Sequence, residues 1–169
     1  QCAIVTGGGR GIGFATARAF SRAGADVAIV DINADAARDA AREITAAGRK
    51  SIALACDVTN AEQVESAFDE AASALGGIDI LVNSAGTSVR KTALELSLEQ
   101  WDRVMDLNVK ATFLASRTAV RHMLRRGGGS IVNLASIMGL SGGLYPNASY
   151  QASKGAVVKR SGAGFWCDC

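Results

Sequence analysis

Short runs of apolar, mostly β-branched residues alternate along the chain with longer stretches in which apolar positions recur every three or four residues. The short runs cover 3–6, 26–31, 51–56, 78–83 and 130–135, and each predicts a strand. They are apolar almost throughout rather than at every second position, the pattern of a parallel sheet buried on both faces. The longer period predicts helices over 11–22, 34–47, 60–75 and 98–126, the last long enough for two. Thr59-Asn60-Ala61-Glu62 and Ser97-Leu98-Glu99-Gln100 have the spacing of capping boxes. Gly48 and Gly76 stand where helix ends favour a positive φ. Such an alternation implies right-handed crossovers and a Rossmann-type, doubly wound α/β fold. No repeat, linker or low-complexity segment interrupts it, so 1–169 reads as one domain. Its last residues, 160–169, form an atypical tail in which glycines and aromatics break the helical period.

Composition excludes several classes of function. Of 169 residues 49% are hydrophobic, enough for a core without disulfides. The net charge is +2 and no basic run exceeds a pair such as Arg125-Arg126, which argues against nucleic acid as a partner. No apolar run approaches the roughly 18 residues of a membrane span, so the protein reads as soluble and cytoplasmic, with no membrane partner. Cys2, Cys56, Cys167 and Cys169 have neither metal-site nor disulfide-framework spacing, and no metal is expected. Cys56, inside an apolar run, reads as a small buried hydrophobe. His122, the single histidine, reads as a surface residue on a helix.

The glycines after the first strand change the picture. Thr6-Gly7-Gly8-Gly9-Arg10-Gly11-Ile12-Gly13 joins that strand to the first helix with the spacing Gly-x-x-x-Gly-x-Gly. Gly7, Gly11 and Gly13 allow a tight turn and close backbone approach to a pyrophosphate at a helix N-terminus, where free N–H groups and the dipole attract it. Asp31 closes the second strand, where an acidic side chain accepts hydrogen bonds from an adenosine ribose and repels a 2′-phosphate. NAD is therefore expected in preference to NADP, although Arg10 in the turn offers a countercharge.

At the other end lies Tyr150-Gln151-Ala152-Ser153-Lys154. On a helix Tyr150 and Lys154 share a face, and an ammonium beside a phenol favours its ionised form, as a general acid/base requires. Ser130-Ile131-Val132-Asn133-Leu134-Ala135-Ser136 precedes them by a distance that a strand and a loop would fill.

Taken together, these residues resemble the short-chain dehydrogenase/reductase family from the start of the chain to about Lys159. The motifs, in order, are the glycine turn, Asp57-Val58, Asn83-Ser84-Ala85-Gly86, Asn108, Ser136, and Tyr150 with Lys154. Ser84 stands where the family usually has a second asparagine. The resemblance implies strand order 3-2-1-4-5, with two further family strands missing here, and hydride transfer between a nicotinamide and a secondary alcohol or ketone. It assigns adenine binding to Asp57 and Val58, and the adenosine side and the steadying of a strand to Asn83, Ala85 and Gly86. Ser136 would bind the substrate oxygen and Tyr150 would move the proton. Lys154 would tune Tyr150 and hold the nicotinamide ribose, and Asn108 would anchor a proton relay. The implied partners are small-molecule substrates of sugar, polyol or 3-oxoacyl type, with full-length relatives expected to form homo-oligomers. The altered C-terminal pattern suggests a partial or frameshifted reading frame, and with it an alternative: a nucleotide-binding fragment without turnover. Gly142-Gly143-Leu144, beside the site, does not discriminate between substrates.

Overall fold

The computed structural model describes residues 1–141 and 145–162, the last three of these by backbone alone. Five strands, β1 (Cys2–Thr6), β2 (Asp26–Asp31), β3 (Ser51–Ala55), β4 (Ile80–Asn83) and β5 (Ser130–Asn133), form a parallel sheet of order β3-β2-β1-β4-β5. The helices are α1 (Gly11–Arg22), α2 (Ala34–Ala46), α3 (Ala61–Leu75), α4 (Leu98–Met105), α5 (Ala111–Leu124) and α6 (Ala148–Gly162). The expected class and strand order are both present. No helix among the described residues is long and apolar enough to cross a membrane.

Continuous apolar strands serve two cores at once. Ile4, Ala28 and Leu81 face α3 and α5, where Phe68, Ala71, Ala115 and Ala119 are buried. Ala3, Val5, Val27 and Ile29 face the opposite layer with Ala17, Ala40 and Ile44 from α1 and α2. Alanine predominates on the helix side, so helices lie close to the sheet and the larger strand side chains fill the space.

Two expectations need correction and a third is refined. The 98–126 stretch does hold two α-helices, α4 and α5, joined without a loop by a π-helical turn, Asp106–Lys110, with helical backbone on both sides. Neither glycine nor proline occurs between 98 and 124 to stop the helix. The cap of α3 is Asn60 rather than Thr59, its side chain accepting from the Gln63 N–H. The Thr59 hydroxyl donates instead to Asp57 Oδ1 at 2.7 Å, which withdraws it from the cap. His122 is not a surface residue: its side chain is 11% exposed and its Nε2 lies 3.1 Å from Asp69 Oδ1 on α3.

Other local expectations hold. Ser97 and Gln100 form a reciprocal capping box at α4, and Gly48 and Gly76 adopt φ of +90° and +86°. Cys56 is buried, and desolvation together with the Asp57 carboxylate pushes its thiol up to about 11. The backbone of α6 is helical through Gly162, and 163–169, with Cys167 and Cys169, lie outside the described residues. Gly142, Gly143 and Leu144 also lie outside them.

Candidate active site

The C-terminal ends of β1, β2 and β4 open into a cleft of about 970 Å³. Its floor is the turn between β1 and α1. Gly7 has φ +62°, and a β-carbon there would stand 2.9 Å from the Ala85 backbone. At Gly13 a β-carbon would come within 2.2 Å of the Gly7 carbonyl oxygen, so the helix start can lie on the turn only without a side chain. The Thr6 hydroxyl accepts from the Ser84 and Ala85 N–H groups at 3.2 and 3.3 Å, pinning the loop after β4 against the turn. Arg10, the N-cap of α1, is extended and makes no side-chain cap bond, which leaves first-turn N–H groups facing the cleft.

Asp31 lines the cleft from the end of β2. Its two carboxylate oxygens accept separate backbone N–H groups, Oδ2 from Gly9 and Oδ1 from Asn33, both at 3.0 Å. Asp57 and Val58 line the same wall, and the N–H and hydroxyl of Thr59 fix Asp57 Oδ1. Ile12, Ala85 and Gly86 complete the lining relevant to the sequence motifs. Asn83 differs. It is 5% exposed, and its Nδ2 donates to Ser116 Oγ and Asn133 Oδ1, tying β4 to α5 and β5 rather than reaching the cleft. Ser84, at the departure from the family pattern, lines the cleft beside it.

A second hollow of about 400 Å³ shares Ser84, Gly86 and Thr87 with the first and has Tyr150 in its wall. The Lys154 Nζ lies 5.7 Å from the Tyr150 ring centroid and donates to the Leu134 carbonyl at the end of β5. Burial holds the Lys154 ammonium below the ordinary lysine range. Asn108, 1% exposed, sits in the π-helical turn, where such irregularities often re-aim functional side chains. Its Oδ1 accepts from the Thr87 N–H at 2.8 Å, and its Nδ2 donates to the Thr87 carbonyl and Ser153 Oγ, each at 2.9 Å. Ser153 donates in turn to the Tyr150 carbonyl. A β-carbon at Gly86 would lie 3.2 Å from Asn108 Oδ1 and 3.9 Å from Lys154 Nζ, so both polar groups flank one point of backbone. Ser136 begins a 3₁₀ turn, Ile137–Gly139, and its Oγ accepts from the Met138 N–H at 3.2 Å. That turn rests on α6: a β-carbon at Gly139 would be 2.5 Å from the Lys154 carbonyl carbon.

Thr87, Ser153 and Gly139 escaped the sequence reading. Ser153 adjoins Lys154 and Gly139 follows Ser136 by three residues, so proximity in sequence was available as a signal for both. For Thr87 no local pattern announces a backbone partner to Asn108.

The donor set fits a dinucleotide: glycines whose missing β-carbons leave room, uncapped N–H groups, and the Asp31 carboxylate in the cleft wall. A family model for short chain dehydrogenase matches residues 1–162. The chain is 42% identical over 158 residues to D-threitol dehydrogenase of Mycolicibacterium smegmatis, covering 94% of this chain and 60% of that protein. It is 40% identical over 159 residues to 2-dehydro-3-deoxy-D-gluconate 5-dehydrogenase of Escherichia coli, covering 94% and 62%. A short-chain type dehydrogenase/reductase of known structure from Mycobacterium marinum matches with a TM-score of 0.93 at 38% identity, over 96% of this chain and 65% of that one. The chain belongs to the short chain dehydrogenase family. It spans 60% and 62% of the length of these two curated relatives.

Proposed function

We propose that this chain carries the nucleotide-binding and proton-transfer parts of an NAD-dependent dehydrogenase acting on a secondary alcohol or the matching ketone. The observation that carries the reading is that Tyr150 lines a hollow adjoining the glycine-floored cleft, with Lys154 Nζ against its ring and Asn108 tied through Ser153 to the same turn of helix. Gly7, Gly11 and Gly13, with Arg10 and Ile12, would hold the pyrophosphate at the start of α1. Asp31 would accept from the adenosine ribose hydroxyls, and its charge would disfavour a 2′-phosphate. Asp57 and Val58 would flank the adenine, Ala85 and Gly86 would line the adenosine side, and Tyr150 and Lys154 would lie along the nicotinamide half. Asn83 would act at one remove, by holding the strand that presents Ser84 to Gly86. The bound nicotinamide supplies the carbon that accepts or donates hydride.

The chain's own residues do the rest. In alcohol oxidation the Tyr150 hydroxyl oxygen, ionised, takes the substrate hydroxyl proton, and in ketone reduction the Tyr150 hydroxyl donates it. Lys154, held by the Leu134 carbonyl beside the ring, would place its charge next to Tyr150 and bind the nicotinamide ribose. Ser136 would hydrogen-bond the substrate oxygen and fix it next to Tyr150. Asn108, fixed by Thr87 and Ser153, would anchor the path by which the proton reaches solvent. Among the substrate classes of the sequence reading, the similarity to D-threitol and 2-dehydro-3-deoxy-D-gluconate dehydrogenases supports polyols and sugar derivatives.

The test joins this chain to the C-terminal part of the Mycolicibacterium smegmatis relative and follows NADH formation with polyols and sugar acids. Tyr150→Phe should retain NAD binding and lose about 10²- to 10⁴-fold in kcat. A near-normal kcat would assign the proton to another residue. NAD binding without turnover in the parent would favour the nucleotide-binding alternative.

A further inference from the structure

The hollow in front of Tyr150 and the cleft beside it differ in charge. Asp31, Asp57, Glu99, Asp102 and Asp106 line the larger cleft together with Arg10 and Arg103. Among the described residues of the smaller hollow, Arg90 is the one charged side chain, and Ser84, Thr87, Ser88 and Asn147 supply hydroxyls and an amide. An anion is therefore drawn toward Arg90 and repelled by the carboxylates next door.

Arg90 is also held in place. Its guanidinium carbon lies 5.5 Å from the centroid of the Tyr145 ring. Stacking occupies one face of the planar group and leaves its edge of N–H donors available. A parallel bridge between Lys91 and Asn147 ties the Arg90 segment to the start of α6, three residues before Tyr150. Among the described residues no carboxylate pairs with Arg90, whereas Arg18, Arg38, Arg42, Arg49, Arg121 and Arg126 all have one.

We propose that Arg90 is a specificity-determining residue for a substrate that carries a carboxylate, a polyhydroxy acid or the matching oxo acid. The carboxylate meets the guanidinium edge, the reacting oxygen meets Tyr150, and the hydroxyl-bearing wall between them takes the intervening hydroxyls. This assignment rests on the dehydrogenase reading above.

D-Gluconate and D-glucitol share a six-carbon chain and differ at one terminus, carboxylate against hydroxymethyl. Calorimetric titration of each into the full chain saturated with NAD compares them directly. Gluconate should bind about tenfold or more tightly, as a charge-assisted bidentate contact implies, and added salt should weaken gluconate alone. Arg90→Gln, on an exposed side chain, should bring the two within about twofold. Equal affinities in the parent, a preference that survives Arg90→Gln, or binding of neither compound would overturn the assignment. NAD binding in the same samples separates the two levels. Bound NAD with no gluconate preference removes the role of Arg90 alone, and absence of NAD binding removes the dehydrogenase reading itself.

Discussion

The two ends of the candidate site are built differently. At the nucleotide end every residue of β1 is buried, and the turn that follows is held by backbone groups: Gly7 against Ala85, Gly13 against Gly7, the Gly9 N–H on Asp31. At the end that holds Tyr150 and Lys154, side chains from separate elements hold the geometry. Asn108 and Ser153, which connect the π-helical turn to α6, are 45 residues apart in sequence. The first region is a local solution to close approach, while the second is an assembly that depends on how α4, α5 and α6 dock. Damage to the first should therefore be felt by the fold, and damage to the second mainly by the chemistry.

Gly13→Ala tests the first half of that contrast and should have the largest effect. The new carbon would stand 2.2 Å from a backbone oxygen, with no rotamer through which to escape. We expect a loss of about 3 kcal/mol or more in urea denaturation and no binding of ADP-ribose, which lacks the nicotinamide. An unchanged denaturation midpoint would show that the turn can open.

Gly139→Ala tests the other half. Its carbon would lie 2.5 Å from the Lys154 carbonyl carbon, forcing the Ser136 turn away from α6. A smaller loss, about 2 kcal/mol, is expected because a 3₁₀ turn can shift more readily than a helix start. ADP-ribose affinity should stay within about threefold of the parent, while turnover of the joined protein falls at least tenfold. Loss of ADP-ribose binding in this variant would show that the two ends are mechanically one.

The same contrast explains what could be read from sequence. Strand runs, the glycine turn and Asp31 were legible because each rests on local constraints: a buried apolar run, a missing β-carbon, an acid at a strand end. Motif order also singled out Asn108, Tyr150 and Lys154, which the fold brings close together. Their support was not legible. The π-helical turn that sets Asn108 leaves no local breaker residue, and the Thr87 backbone partner belongs to a loop with no distinguishing composition. The cap of α3 moved by one residue because Asp57 competes for the Thr59 hydroxyl, a tertiary choice between two acceptable caps. His122 is mostly buried, with its Nε2 beside Asp69 of α3, a position set by helix packing.

Asp31→Ala sharpens the comparison within the nucleotide end. The carboxylate is held by two backbone N–H groups, so its removal deletes a fixed charge rather than a mobile one. The preference for NAD over NADP should fall about tenfold, the scale of one charge-assisted interaction, in paired fluorescence titrations. Tighter binding of NADP than NAD by the parent would overturn the cofactor assignment.

The smallest effect is expected where chemistry and stability oppose each other. Lys154 is 8% exposed and donates to the Leu134 carbonyl, and no carboxylate among the described residues pairs with it. Desolvation lowers its pKa in the folded chain, so the unfolded chain holds the proton more tightly. Stability therefore rises with pH between the folded value and the ordinary lysine value, and the full penalty applies below the folded value. Lys154→Met keeps the length of the side chain, removes the charge and gives up the bond to Leu134. At neutral pH we expect a gain of about 1 kcal/mol, shrinking toward pH 10 as the parent sheds its proton, together with loss of turnover in the joined protein. Urea denaturation of both chains at pH 7 and pH 10 measures it. A variant less stable than the parent at pH 7 would mean that the hydrogen bond to Leu134 outweighs the buried charge.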